Sequence, residues 1–466
     1  MNFTKTCITL VASIAAATTL VAAKHEANQH KHMYSKSIKV LSAEDIAHRS
    51  NDDYAMNNYG IVTADKAAAW ITDWKHNKPA GISGKLFVMQ MGDIAGTEFN
   101  YIKSNGVDTF TFDRTAGCTT TGDFRNDGVS NVPKPVFTGA QMDEAFMAYD
   151  IDPKHDMFLL VVAEADGGYY AGAVRMWYTL SYWGVAQKNI AVLSGQASHV
   201  LNPEINVDLQ SLGLTKADLF TAEQSIPPMN GTHTISEIKR DGTILQATTG
   251  DMMELVDNGT QNAIIIDARS EAEYLGTKKA KTEFSVCGTD GASQCYTAFD
   301  GHIKSAQNIY YTDVINTADA TVDVNLDGIV DDKDASYTFK DIFDIESIFA
   351  NTGYVEGQTA YVYCRTGTKA SMLTFASSAI LGNPTRMYDG SWIQWGKMAN
   401  AIDTNGVELL PTDTQWRVDV TTYSESIVYN PDADKVSPHA AGSLHLDYTN
   451  TNAIIDEDKT YKLLKK

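Results

Sequence analysis

The chain is short of positive charge: 37 lysines and arginines stand against 58 aspartates and glutamates in 466 residues, a formal net charge of -21. That deficit argues against nucleic acid or anionic membrane surfaces as partners, since an acidic surface repels both. Long hydrophobic runs are also missing. Beyond residue 23 nothing approaches the roughly twenty apolar residues that a membrane-spanning helix needs. Cysteine is scarce, with 5 in the chain, and no two pairs stand at the spacing of a structural zinc site. What remains is an ordinary globular composition, long enough for two domains with substantial cores.

The opening segment, MNFTKTCITLVASIAAATTLVAA, places Lys5 before an apolar stretch over 8–21 and ends on Val21-Ala22-Ala23. It reads as a secretory signal peptide over 1–23; the alternative, a retained anchor, is opposed by the shortness of the run and its Ala and Thr content. Cys7 lies too early for a lipoprotein attachment site, so a soluble periplasmic or secreted product is expected. Removing the leader leaves Cys118, Cys287, Cys295 and Cys364. Cys287 and Cys295 share a loop of glycines and small polar residues. In an oxidising compartment a local disulfide between them is the economical reading, and metal binding by the pair is the other. Cys118 reads as a small buried residue. His25, His30 and His32 fall in a polar segment, 24–59, read as a solvated tail that could also bind a transition metal loosely.

Cys364 is the residue that most needs explaining. Thr359–Tyr363 (TAYVY) alternates and is β-branched or aromatic, as a buried strand should be, while 370–381 carries apolar residues at helical spacing. Cys364-Arg365-Thr366-Gly367-Thr368-Lys369 therefore joins a strand's carboxyl end to a helix's amino end. Unpaired helix amides favour the thiolate there, Arg365 and Lys369 add positive charge, and Gly367 allows a tight turn.

At these residues the chain resembles the rhodanese family of sulfurtransferases, whose active loop opens on Cys with Gly three positions later. Three further segments extend the resemblance in order. Ile264-Ile265-Ile266-Asp267-Ala268-Arg269 with Glu273-Tyr274 is similar to the family's Asp-x-Arg strand. Gly301-His302-Ile303 with Ala306 is similar to its Gly-His-Ile segment, although Lys304 and Ser305 replace the usual Pro and Gly. Tyr388-Asp389-Gly390-Ser391-Trp392 and Trp395-Gly396 resemble its closing motif.

The resemblance implies an α/β fold of two rhodanese-like domains, each a parallel sheet flanked by helices. The expected division is a degenerate domain over 60–225, a catalytic domain over 235–400 with insertions at 275–300 and 312–358, and an acidic extension over 401–466. In the first domain helices are expected at 63–74 and 171–182, and strands at 85–91, 158–163 and 189–193. The segment 158–195, with Arg175, Trp177 and Tyr182-Trp183-Gly184, looks like the first half of a tandem rhodanese. Its chemistry is missing, since Ala163-Glu164-Ala165-Asp166-Gly167-Gly168 stands where a cysteine is expected. Strands of the second domain are expected at 243–246, 263–267, 308–310, 359–363 and 385–388. Such alternation of strands and helices implies a parallel sheet, whose carboxyl ends gather Arg269 and Cys364 in one crevice.

Within the second insertion, oxygen-bearing side chains of Asp323, Asn325, Asp327, Asp331 and Asp334 fall at positions 1, 3, 5, 9 and 12 of a twelve-residue loop. Gly328 sits at the turn and the Ile329 backbone carbonyl at the next position. This resembles the dockerin form of the EF-hand loop. With one clear copy, the expected role is structural calcium binding; an acidic surface turn is the alternative.

The resemblance implies that Cys364 takes the outer sulfur of thiosulfate or a mercapto acid as a persulfide and passes it to a nucleophile. Arg269, Arg365, Thr366, Gly367, Thr368 and Lys369 would hold the donor. The charged residue after the cysteine favours thiosulfate. Asp267, His302, Asp389 and Trp392 are expected to fix loops. No organic cofactor is expected. Two rivals stand: a Cys-based phosphatase, whose loop is longer and ends in Arg, and a non-catalytic sulfur carrier or binding protein of the envelope.

Overall fold

The computed structural model describes residues 37–50, 60–94, 98–113, 125–129, 131–132, 135–164, 167–227, 230–277, 299–324, 326–398, 428–429 and 451–464. The leader 1–23, His25, His30, His32, Cys118, Cys287, Cys295, Asn325 and most of 401–466 lie outside the described residues.

Two five-stranded sheets carry the fold. The first is made of β1 (Gly60–Val62), β2 (Leu86–Met91), β3 (Thr109–Asp113), β4 (Met157–Val162) and β5 (Ile190–Gln196); the second of β6 (Gln246–Ala247), β7 (Ala263–Asp267), β8 (Gln307–Asn308), β9 (Thr359–Tyr363) and β10 (Thr385–Tyr388). Their spatial orders are β1-β5-β4-β2-β3 and β6-β10-β9-β7-β8, one topology used twice. Every pairing in both is parallel. A parallel sheet covered on both faces needs strands that are apolar throughout. LFVMQM in β2 and MFLLVV in β4 are buried at every position. Gln90, the polar exception, donates to the carbonyls of Gly92 and Asn100 and accepts from the Ile102 amide.

Strands β7, β9 and β10 fall where the sequence places them, and the departures have local causes. Residues 243–245 form a 3-10 turn, and only Gln246–Ala247 pairs with β10. At the other edge the strand is Gln307–Asn308, because Asp313 accepts the Tyr310 amide and turns the chain away. The helix expected over 370–381 is α-helical over Ala370–Phe375 and continues as a π turn over Ala376–Ile380. The helix expected at 63–74 runs over Ala64–Thr72, and the Thr63 hydroxyl before it donates to Asp65.

The two sheet units meet through helix α1 (Gly167–Tyr182) of the first and helix α2 (Ala370–Phe375) of the second. Ser371 Oγ donates to the Ala171 carbonyl at 3.0 Å, and the rings of Trp177 and Phe375 meet edge to face at 5.1 Å. One buried cluster runs from Phe158 and Trp177 to Val362 and Cys364, so the units share a core. The second insertion lies on the first unit: Gln196 donates its side-chain amide to the Lys333 carbonyl at 2.9 Å, and Phe339 donates to Ser194 Oγ at 3.1 Å. A last helix, α3 (Ala453–Leu464), brings Asp458 to Arg125 at 2.7 Å and to the Tyr182 hydroxyl at 2.7 Å. Burial pushes the Asp458 carboxyl up to about 6 against the pull of Arg125. No helix among the described residues is long and apolar enough to cross a membrane.

Trp177→Ala removes the largest ring between the two units. A buried aromatic truncation of this kind costs about 3–5 kcal/mol. Chemical denaturation should show that loss as a lower midpoint, with an exposed substitution such as Val107→Ala near wild type.

Candidate active site

Cys364 follows the last residue of β9, and register decides what surrounds it. Asp267 at the end of β7 is paired with Tyr363, and Val362 with Met387 of β10. The chain therefore leaves three neighbouring parallel strands at one edge, with Ala268-Arg269 on one side of Cys364 and Asp389 on the other. Strands β9 and β7 lie at the point where the strand order reverses, the place where open parallel sheets form a crevice.

The thiol loop is fastened from below. The Cys364 amide donates to Ser391 Oγ at 3.3 Å. The carbonyls of Cys364 and Arg365 accept from the amides of Trp392 and Ile393, which open the helix Ser391–Met398 and have no partner within it. Ser391 holds a positive φ of 55° as it makes these contacts possible. The upper side of the loop is different. Among the described residues the N–H groups of Thr366, Gly367, Thr368 and Lys369 make no hydrogen bond, and the buried Thr368 Oγ1 has no partner. Successive free amides with a hydroxyl form a cradle for an anion.

Each arginine around the thiol is matched to a carboxylate. Arg269 is 2% exposed and binds Asp267 at 2.6 Å through Nη2, with a second bond to the Gly301 carbonyl; its guanidinium lies 4.7 Å from the Trp392 ring. Burial works against its charge, but Asp267 outweighs that and holds the guanidinium firmly protonated. Its Nη1 makes no hydrogen bond among the described residues. Arg365 is ion-paired to Glu273. Burial acts to raise the Glu273 carboxyl, yet Arg365, with Ser270 and Arg269, brings it below its ordinary value. Lys369 sits 4.5 Å from the centre of the Tyr311 ring and has no carboxylate partner among the described residues.

The structure thus brings Cys364, Arg269, Arg365, Thr366, Gly367, Thr368 and Lys369 together. It changes the expectation for Arg269, whose pairing with Asp267 leaves one nitrogen rather than a whole guanidinium for a ligand. His302 stacks on Tyr274 at 3.9 Å and, like Asp267 and Trp392, packs around the cleft. Sequence reasoning missed Ser391 as the acceptor for the Cys364 amide and missed Arg175 as a neighbour of the site. Arg175 is fully buried and pairs with Asp389 at 2.8 Å. The available signal was that it is the single charge in the otherwise uncharged helix α1, and a buried charge must find a partner.

The acidic loop of the insertion is folded on itself. Asp323 accepts the Gly328 amide at 2.9 Å, Asp327 accepts the Ile329 amide, and the buried Asp334 accepts the amides of Val324 and Asp331. Lys333 stands 3.4 Å from Asp331 and 3.7 Å from Asp327. Among the described residues no three metal-ligating side chains converge on one point. What the loop would offer a hard cation is its oxygen donors, the turn at Gly328, and a buried Asp323 Oδ1 that has no hydrogen bond among the described residues. Asp323 also walls a cavity of about 160 Å³ shared with Phe99, Ser198, Lys216 and Phe220 of the first unit.

A parallel α/β sheet with a thiol at the switch point, beside amides left free for an anion, defines a cysteine-centred site. Sequence comparison then narrows it: residues 248–398, about a third of the chain, match the model of the rhodanese-like domain. A Haloferax volcanii protein provisionally named a thiosulfate sulfurtransferase is 28% identical over 159 residues, 34% of this chain and 45% of its own. The sulfur carrier protein TtuD of Thermus thermophilus is 27% identical over 145 residues, 31% of this chain and 42% of its own. The chain matches less than half the length of either. Among solved structures, Tum1 from Saccharomyces cerevisiae aligns over 72% of this chain and 94% of its own, with 13% identity and a TM-score of 0.46. The sequence matches support the rhodanese sulfurtransferase family for the second sheet unit.

Gly367 has φ +84°, and a Cβ there would stand 2.2 Å from Asp389 Oδ1. Gly367→Ala should therefore displace the loop: the melting point falls, and Cys364 alkylation, followed by mass spectrometry, slows at least tenfold by the arithmetic of roughly 1.4 kcal/mol per factor of ten.

Proposed function

We propose that this protein is an exported sulfurtransferase that carries a sulfane sulfur on Cys364. The Cys364 thiolate attacks the outer sulfur of thiosulfate or a mercapto acid; the bond from that sulfur to the rest of the donor breaks, and sulfite or the enolate of the acid leaves with the electron pair. A nucleophilic acceptor then attacks the outer sulfur of the persulfide and Cys364 departs as thiolate. Two displacements at one atom give ping-pong kinetics.

The observation that carries this reading is the cradle: four amides and the Thr368 hydroxyl without partners beside a thiol. They suit the negative charge of a thiolate, a persulfide or an entering anion. Lys369 and the Arg269 Nη1 add cationic groups that suit the dianion thiosulfate, while Arg365 is committed to Glu273. The six-residue span from Cys364 to Lys369 favours sulfur over a phosphate ester. The repeated strand order supports reading the first unit as a rhodanese-like copy, with Ala163 and Glu164 at the end of β4 where the second unit has Cys364 and Arg365. The amino-terminal leader supports export.

A sulfur-carrier role is the second reading, favoured by the burial of Cys364, 1% exposed, and by the printed name of TtuD. Incubation with thiosulfate followed by intact-mass measurement and a cyanide assay for thiocyanate separates the two. A gain of one sulfur with turnover, both abolished in Cys364→Ser, is the expected result. Gain without turnover identifies a carrier, and neither, even with a mercapto acid, defeats both.

Calcium in the Asp323, Asn325, Asp327, Ile329, Asp331 and Asp334 loop is proposed as structural. Lys333, half exposed, would swing away and the ion would draw in the Asp323 oxygen now without a hydrogen bond. Added calcium should raise the melting temperature and chelator reverse it, with Asp323→Ala insensitive to both; equal melting in all conditions removes the metal from the account.

A further inference from the structure

Arg175 belongs to the sheet unit that has no thiol, yet it lies beneath the thiol of the other. Its helix, α1, packs against α2 just after the Cys364 loop, and its guanidinium bonds Asp389 at 2.8 Å where β10 ends. Both side chains are inaccessible, at 0% and 1% exposure. Gly367, in the middle of the thiol loop, rests on this pair: a Cβ at Gly367 would meet Asp389 Oδ1 at 2.2 Å and Arg175 Nη1 at 3.2 Å. Asp389 is two residues before Ser391, whose hydroxyl accepts the Cys364 amide. The Tyr178 ring at 4.7 Å and Met387 Sδ at 3.7 Å also lie against the guanidinium.

We propose that Arg175 is a positioning residue for Cys364: contributed by the first unit, it anchors Asp389 under Gly367 and places a fixed positive charge behind the thiol loop. The inference rests on the reading of Cys364 as a reactive thiolate, and it gives the first unit a function that its own missing cysteine hides. Helix α1 could not carry a charge for packing alone, because a buried guanidinium without return is a penalty that an apolar residue avoids. Burial works against the Arg175 charge, and Asp389 outweighs it and keeps the guanidinium protonated. Burial pushes the Asp389 carboxyl up, and Arg175 opposes it.

The test uses the full chain with Arg175→Met, Arg175→Lys and the double variant Arg175→Met with Asp389→Asn. Thermal melting is measured beside the pH profile of Cys364 alkylation by iodoacetamide, located by peptide mapping with Cys364→Ser as control. The single Met variant should melt lower, since Asp389 is left buried without its partner, and the double variant should recover much of that loss. Alkylation at neutral pH should nonetheless stay about tenfold slow in the double variant, with its profile moved to higher pH, while the Lys variant keeps most of the rate. A double variant with restored melting and a wild-type profile would reduce the pair to a packing feature and overturn the proposal. If the single Met variant does not fold, the double and Lys variants decide. Alkylation does not depend on sulfur transfer, so a protein that takes no sulfur from thiosulfate but shows these alkylation differences would defeat the sulfurtransferase reading and leave this one standing.

Discussion

Helix α1 has no polar face. GGYYAGAVRMWYTLSY presents aromatic and small apolar residues around its circumference, and an amphipathic surface position would strand them in water. The helix must be enclosed, and from Tyr170 to Tyr182 it is: the first sheet covers one flank and α2 of the second unit covers another, through Trp177 on Phe375 and Ser371 on the Ala171 carbonyl. The rest of the arrangement depends on that enclosure. It joins two parallel sheets into one core, and it carries the single charge of the helix to the underside of the Cys364 loop.

Around the thiol, electrostatics follow one rule applied three times. Arg269 with Asp267, Arg365 with Glu273 and Arg175 with Asp389 are each buried or nearly so. Taking either member of such a pair away leaves an uncompensated charge at a cost of roughly 3–5 kcal/mol. The carboxylates and arginines thereby lock the loops that end β7, β9 and β10, and they do so with little net charge. What remains for a ligand is the set of groups outside these pairs: the loop amides, the Thr368 hydroxyl, one nitrogen of Arg269 and the ammonium of Lys369. An acidic chain can bind an anion there because the local field, and not the total charge, acts over the few ångströms of a cleft.

The insertion and the carboxyl-terminal helix extend the same economy. Residues around Lys333 to Phe339 tie the acidic loop to β5 of the first unit, so the loop spans both units rather than hanging from one. Helix α3 closes over Arg125 and Tyr182 through Asp458, and it buries the Lys462 ammonium against the Trp183 carbonyl, where desolvation lowers it to about 7. Buried ionisable groups on a terminal segment have the effect of making its docking specific, since a shifted register would leave each without its partner.

Much of this was legible from local pattern. Buried parallel strands show themselves as apolar runs, so β2, β4 and β7 could be placed within a residue or so, and the alternation of TAYVY placed β9. Cys364 could be put at a strand end because TAYVY precedes it and a helix follows. The short edge strands Gly60–Val62 and Gln307–Asn308 could not be placed so well, since two or three residues carry no period and their extent is set by the neighbour they bond. The sequence by itself determined the central strands, the thiol loop and the acidic partners that lie close in the chain, such as Asp267 beside Arg269, because spacing along a backbone constrains those directly. Only the tertiary structure decided which groups stay unpaired at the loop and which arginine from the far unit lies beneath it. Arg175 and Asp389 are separated by more than two hundred residues, and nothing short of packing α1 against α2 brings a guanidinium to the back of Gly367.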